Sequence, residues 1–436
     1  MAKLNILITL CLIASGAMTY AEEITESWSF EQCVDYARSH NIDLQKALLS
    51  SRTAEINLDE AKAQWQPTLD FGTTQGFTNS PFADNDKNAY SGSYGLSAGW
   101  TVYNGGLRKN NIKRAHIKSQ ISSLDSSFLL RSLETDMLQI YLNILYAKET
   151  IGICEEAARL SGAQASRAQM LMEAGKLSRV DYAQLESQHE QDNYALVEAQ
   201  ATYQTRRMEL KKLLELGIDK EITLNPLDWH DNAITAPLPD MEESYRLALN
   251  TDIRLKSLMM QTEGSEVDIE IAKASGRPQI DLTAGVNTAY GTGGPSLGTA
   301  LKENLNEHIG LTINIPVFDR KKTSSAVAKA RVDQLSARLD IDQRENDLAQ
   351  AVESWYTDTR SAQARYKAAV SRLNAAELTS QLTIARFELG LVNTVEMMTA
   401  HNNLTDARQQ LIQAKYMAML GRKMIEYYRT SHVSLP

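Results

Sequence analysis

The sequence predicts a mixed α and β fold in which one plan is written twice: helix, strand, loop, strand, long helix, glycine turn, helix. Three observations predict it. The nine prolines are absent from Phe82–Asn225 and from Val317–Leu435, which frees both stretches to be long helices, since proline costs about 3 kcal/mol inside one. Apolar residues step by three and four through most of those stretches and by two in four short segments, 68–80, 92–103, 279–290 and 308–318. The same junction also appears twice, as "AKAQWQPTLDFG" at Ala61–Gly72 and "AKASGRPQIDL" at Ala272–Leu282.

At the start, Lys3, the apolar run Leu4–Ala14 and the small-x-small exit Thr19-Tyr20-Ala21 predict a signal peptide over residues 1–21, cleaved before Glu22. Leu10, not a small residue, precedes Cys11, which argues against a lipid anchor there. No later window holds 18 consecutive apolar residues, so no transmembrane helix is expected. The formal charge of −9 argues against nucleic acid as a partner. The remaining cysteines, Cys33 and Cys154, both lie in helical text and are expected as buried free thiols rather than a bridge.

The first repeat spans residues 22–217. After its opening helix come strands at 68–80 and 92–103, then helices at 107–174 and 177–216. The cleanest alternation is Tyr94, Leu96, Ala98, Trp100 and Val102 against Gly95, Ser97, Gly99 and Thr101. Residues 218–244, with Pro226, Pro237 and Pro239, read as a connector. The second repeat spans 245–436, with strands at 279–290 and 308–318 and helices at 321–389 and 392–428. At a spacing of 211 Ala37 meets Ala248, Ile42 meets Ile253 and Pro67 meets Pro278; past the second strand the spacing becomes 215, where Tyr141 meets Tyr356 and Gly175 meets Gly390.

Each strand is long enough to cross a bilayer at a tilt, for which about 9–11 residues suffice. An apolar face against a small or polar one fits a lipid-facing exterior and a wet interior, though a soluble sandwich alternates too. Trp65, Trp100, Tyr103 and Phe318 fall where strands meet helices, and Phe77, Phe82, Tyr94 and Tyr290 toward the loops, as two interfacial belts would. Four strands cannot close a membrane barrel, and open edges cannot face lipid, so several chains must share one barrel. Helices of this length must then project from it and pack side by side.

The two junctions, "VYNGG" at Val102–Gly106, and the helix-turn stretches "EAGKLSRVD" and "ELGLVNTVE" resemble the TolC family of outer-membrane channel proteins across nearly the whole chain past residue 21. The resemblance implies a homotrimer with a twelve-stranded β-barrel in outer-membrane lipid and a long periplasmic α-helical barrel. It implies docking to a periplasmic adaptor protein and an inner-membrane pump of RND or ABC type. It places the adaptor-docking tips at Gly175, Leu177 and Ser178 and at Gly390, Val392 and Asn393. It places a pore constriction at Glu396, with Asp181 matching it in the first repeat; Thr399 stands where the family carries a second acidic residue. The helix–strand junctions are Pro67 and Pro278, with Gly105 and Gly106 at the turn into the long helix. In the second repeat "VFDRKK" (Val317–Lys322) lacks those glycines, so a tighter turn or one capped by Asp319 is expected, and a C-terminus this short leaves little material for a belt around the helices.

No enzyme motif is found. "GPSLG" (Gly294–Gly298) mimics a nucleophile elbow, but it lies in a loop between strands, so Ser296 is a poor nucleophile candidate. The seven histidines form no HExxH or Cys/His cluster, and no phosphate loop or cofactor motif occurs. The expected function is a passive efflux duct. A protein-secretion duct is the nearer alternative, and a soluble periplasmic coiled-coil scaffold the more distant one.

Overall fold

The computed structural model describes residues 27–82, 88–227, 229 and 231–435. The expected signal peptide, Cys11 and the middle of the first strand-to-strand loop lie outside the described residues. Two wedges follow one another. The first contains β1 (Ser27–Trp28), α1 (Phe30–His40), α2 (Ile42–Ala63), β2 (Thr68–Asn79), β3 (Asn88–Asn104), α3 (Leu107–Glu173) and α4 (Arg179–Leu213). Between the wedges come β4 (Thr223–Leu224) and α5 (Asp231–Thr235). The second contains α6 (Met241–Thr251), α7 (Ile253–Ala274), β5 (Gln279–Gly291), α8 (Leu297–Glu303), β6 (Asn306–Asn314), α9 (Lys322–Glu388) and α10 (Thr394–Thr430).

The wedges repeat in their caps as well as their lengths. Ser29 and Asp240, 211 residues apart, each cap a helix start through a side-chain oxygen, accepting from Gln32 N and Glu243 N. Asn41 and Asp252 do the same for α2 and α7, accepting from Leu44 N at 3.0 Å and Leu255 N at 2.6 Å. Both α3 and α9 run for 67 residues, on the order of 100 Å of unbroken helix.

The strands form one antiparallel sheet in the order β2-β3-β5-β6. Register sorts its faces: Phe71 opposes Leu96, Leu96 opposes Val286, Trp100 opposes Leu282, and Leu282 opposes Leu311. The other face carries Asp70, Ser97, Gly285 and His308 in the same register. One face is therefore apolar across all four strands and the other small and polar, the pattern of a barrel wall with lipid outside and water within. At the loop end, Tyr90 and Tyr290 both donate to Gln75 Oε1, at 2.5 and 2.8 Å, which satisfies their hydroxyls at an interface.

Three details differ from expectation. The ladder slips between Thr101 and Tyr103, so Val102 is the extra residue of a β-bulge and Tyr103, opposite Ile280, takes the apolar-face position that simple alternation gave to Val102. The fourth strand stops at Asn314 rather than 318, because Pro316 has no N–H to continue the ladder, and Phe318 lies beyond it. The second strand starts at Asn88, earlier than the predicted 92.

The main core sits midway along the helices, where Leu133, Met137, Tyr141 and Leu145 of α3 meet Phe30, Leu210, Ala418 and Met419. The stretch expected as a bare connector is part of this belt. β1 pairs in parallel with β4, Leu224 and Ile234 are buried in the core, and Tyr141 Oη donates to Asn225 O at 2.9 Å. Past α10, Val433 and Leu435 join the same core. Cys33 and Cys154 are free and buried, and burial pushes the Cys33 thiol up to about 12. Among the described residues no helix is long and apolar enough to cross a membrane.

Candidate functional site at the helical tips and strand junctions

Each long helix ends on a glycine because the chain must reverse within the five residues 174–178 or 389–393. Gly175 has φ +71 and Gly390 φ +69, left-handed values at which a side chain is strained. Both turns close alike: Lys176 N donates to Leu171 O and Leu391 N to Arg386 O, at 2.8 and 2.9 Å. Ser178 Oγ then accepts from Asp181 N at 3.0 Å, and its counterpart Asn393 Oδ1 accepts from Glu396 N at 2.9 Å, starting α4 and α10.

Of the expected tip residues, Gly175, Ser178, Gly390 and Asn393 are exposed, while Leu177 and Val392 are half-buried. Leu177 packs with Tyr182, Phe387 and Met398 on a small core of Ala168, Leu185 and Met397 that joins the two hairpins. The exposed apolar surface is supplied instead by Leu389, Leu391, Val180 and Val395, which sequence reasoning passed over. Leucines flanking the glycine in "ELGLVNTVE" were the available signal.

The three expected constriction residues sit differently. Asp181 is bound on both oxygens: Ser178 Oγ donates to Oδ2 at 2.7 Å, and Thr394 Oγ1, from the other hairpin, donates to Oδ1 at 2.9 Å. Those hydroxyls, Ser178 first and Thr394 second, hold its carboxyl below the usual aspartate range. Glu396 is exposed at the start of α10, and Thr399, also exposed, returns its hydroxyl to Val395 O at 2.8 Å. A second cross-hairpin link, Arg167 Nη1 to Glu388 Oε1 at 2.5 Å, joins α3 to α9.

At the opposite end Pro67 and Pro278 each stand one residue before a strand. Trp65 O accepts from Trp100 Nε1 at 3.0 Å, and the Arg108 guanidinium lies 4.4 Å from the Trp65 ring centre while donating to Thr101 O. Gly105 and Gly106 take φ +67 and +88, and Arg277 Nη1 donates to Gly105 O at 2.8 Å. Trp65, Trp100 and Tyr103 are thus gathered at one end of the sheet, and Phe318 stands exposed below β6. Ser296 precedes α8 and exchanges a hydrogen bond with Thr299 Oγ1 at 3.1 Å. It sits in the loop between β5 and β6, not at a strand-to-helix elbow.

Comparison with known proteins agrees with this architecture. The model of the outer membrane efflux protein family matches residues 33–215 and 245–419, the two wedges without the connector. The outer membrane efflux protein BepC of Brucella suis biovar 1 is 21% identical over 384 residues, covering 87% of this chain and 80% of BepC. TolC of Escherichia coli K12 is 19% identical over 433 residues, covering 97% of this chain and 85% of TolC. The alkaline protease secretion protein AprF of Pseudomonas aeruginosa is 22% identical over 295 residues, covering 67% of this chain and 60% of AprF. Among solved structures, CusC superposes with a TM-score of 0.79 at 18% identity, covering 91% of each chain. The Campylobacter jejuni CmeC outer membrane channel gives 0.77 at 16%, covering 99% of this chain and 95% of CmeC. With both wedges matched and the duct fold shared throughout, the chain belongs to the outer membrane efflux protein family.

Proposed function

We propose that three copies of this outer-membrane efflux protein close head to tail into one duct, a twelve-stranded barrel above a helical tube. The duct passively conducts substrates that a periplasmic adaptor and an inner-membrane pump deliver to its tips. One observation carries the ring: a cluster that is buried inside the chain has its counterparts exposed on the chain's two outer edges. Ile117 of α3 packs with Val267 and Met260 of α7. Moving Ile117 forward by 215 gives Val332 on α9, and moving Val267 and Met260 back by 211 gives Ile56 and Leu49 on α2. Val332, Ile56 and Leu49 are 64%, 56% and 67% exposed. A second copy whose α2 meets this α9 would bury them as α3 and α7 bury theirs. The edge strands β6 and β2 would be paired by the same step, a heterologous contact that closes into a ring.

The tips suit a protein partner. Leu389 and Leu391 are exposed at one turn, and a groove of about 450 Å³ after the other is lined by Arg179, Val180, Ala183, Gln184, Ser187 and Met398. Similarity to AprF supports a second reading, in which the same duct exports protein.

The test is disulfide trapping of Ile56→Cys with Val332→Cys. The native thiols among the described residues, Cys33 and Cys154, are buried and do not compete. Oxidation in outer membranes should yield covalent species that stop at three chains. Monomer alone, or a ladder that runs past three, would overturn the closed ring.

A further inference from the structure

Above the tip turns, the two hairpins are joined by a polar tier that the duct function does not require. His401 of α10 and Asp192 of α4 are 3% and 8% exposed, and His401 Nε2 lies 2.8 Å from Asp192 Oδ2. Gln188 Nε2 donates to Asp192 Oδ1 at 3.0 Å, and Asn402 Nδ2 to Gln188 Oε1 at 3.3 Å, so the tier crosses between hairpins twice. His401 Nδ1 is buried with no hydrogen-bond partner among the described residues. A buried polar atom left unpaired is destabilising. A purely structural joint would be served at least as well by an amide or by packed apolar side chains. Imidazole differs from both in one respect: it changes charge between about pH 5 and 8.

Resting on the duct reading, we propose that Asp192 and His401 form a proton-operated clasp that sets how far the two hairpins part at the duct's periplasmic mouth. Protonated, the imidazole neutralises the Asp192 carboxylate across the hairpin interface and holds the mouth narrow. Deprotonated, it leaves a buried carboxylate supported only by neutral donors, and the hairpins separate more easily. Burial alone would raise the Asp192 pKa, but hydrogen bonds from His401, Ser161 and Gln188 outweigh it and hold the carboxyl low. A depressed carboxyl contributes stability above its unfolded pKa of about 3.9 and loses it as pH falls through the folded value. Asp192 therefore stays charged between about pH 5 and 8.

Among the described residues, the groups around the pair come from α3, α4, α9 and α10. From α3 come Ser161 and the Cys154 thiol, which burial raises further. From α4 comes His189, whose ring bonds Ser161 at 3.3 Å and Asn193 at 3.2 Å. On α10 the charged neighbours are Glu396, Asp406 and Arg408, the last engaged with Glu377 at 3.8 Å. In the register that pair sets, α9 brings residues 378–385, "LTSQLTIA", with no titratable side chain. Glu156 and Arg159 on α3 pair with each other at 2.7 Å.

The experiment is single-channel recording of the assembled full-length protein between pH 8 and 5.5, with thermal melting of each variant as the control on folding. Wild type should lose open probability by about fivefold or more toward pH 5.5, the lower end of ordinary coupling strengths. His401→Gln and Asp192→Asn keep a hydrogen bond but no ion pair, and should flatten the profile; His189→Gln should leave it intact. A pH-independent wild type that conducts normally would overturn the clasp and leave the duct standing. So would a wild-type profile retained in assembled His401→Gln, or one abolished by His189→Gln. Absence of any channel would instead overturn the duct reading, and the clasp with it.

Discussion

The two turns that lead from barrel into tube have the same backbone and different residues. In the first wedge Asn104 Oδ1 accepts from Arg108 N at 3.1 Å and Gly105–Gly106 follow it in left-handed conformation. In the second, 215 residues on, Asp319 Oδ2 accepts from Thr323 N at 2.8 Å, and Arg320 and Lys321 take φ +54 and +66. The second turn is therefore capped, as expected, but not tighter. It repeats the first with two side chains held where each costs about 1–2 kcal/mol. What separates them is surroundings. A Cβ on Gly105 would meet Arg277 Cβ at 2.6 Å and Ala274 O at 2.7 Å, because this turn is wedged against β5 and α7. Arg320 and Lys321 lie on the outer edge and are exposed. Crowding, more than the dihedral, requires glycine in the first wedge.

The largest effect should therefore follow from Gly105→Ala. Left-handed strain of about 1–2 kcal/mol and overpacking of about 1–3 kcal/mol add there. Assembled protein in the outer membrane should fall several-fold. Gly106→Ala should cost the strain alone, since the nearest atom to its added Cβ is Arg277 Nη1 at 3.7 Å. Equal losses at both positions, read from melting temperatures, would mean that backbone conformation and not packing sets the requirement.

How much of this was legible beforehand divides along the same line of local against distant causes. Long helices, strands and the repeat are written in proline absence, in period and in spacing, so Pro67, Pro278, Gly175 and Gly390 could be placed from sequence. The bulge at Val102 could not, because its cause is the register against Ile280 on a strand nearly 180 residues away. The connector's pairing with Trp28 is hidden for the same reason. The Asp192–His401 contact spans 209 residues and has no copy in the repeat, since the positions 215 away hold Ala407 and Glu186. Asp181 was legible as a position but not as a role, for Thr394 reaches it from the other wedge.

A smaller effect of opposite sign is expected from Arg320→Gly and Lys321→Gly. Each should relieve about 1 kcal/mol of left-handed strain and raise the melting temperature by a few degrees. In the proposed ring, Arg320 of one protomer would occupy the place beside its neighbour's Ala63–Gln66 that Gly105 occupies beside Ala274–Arg277. If Arg320→Gly weakens the assembly instead, its side chain bridges protomers and the edge is less free than the single chain displays. Lys321→Gly separates the two outcomes, because its counterpart Gly106 has the more open surroundings.

The smallest effect concerns the matching carboxylates at the tips, Asp181 and Glu396, each six residues past its glycine. Two hydroxyls engage Asp181, whereas Glu396 is exposed at the first turn of α10. A carboxylate ring facing a pore attracts cations and repels anions, and a carboxylate drawn aside into a helix joint keeps its charge but acts on the pore from farther away. Glu396→Gln should therefore lower cation over anion preference in single-channel recordings by about twofold, leaving melting unchanged. Asp181→Asn should leave selectivity nearly unchanged and loosen the hairpin joint slightly, since an amide oxygen still accepts from Thr394. Because its carboxyl is held low, the stability Asp181 adds is present at neutral pH and lost as pH falls below about 4, where wild type and Asp181→Asn should converge. An unaltered selectivity in Glu396→Gln, with a changed one in Asp181→Asn, would reverse the two roles and place the first wedge's carboxylate at the pore.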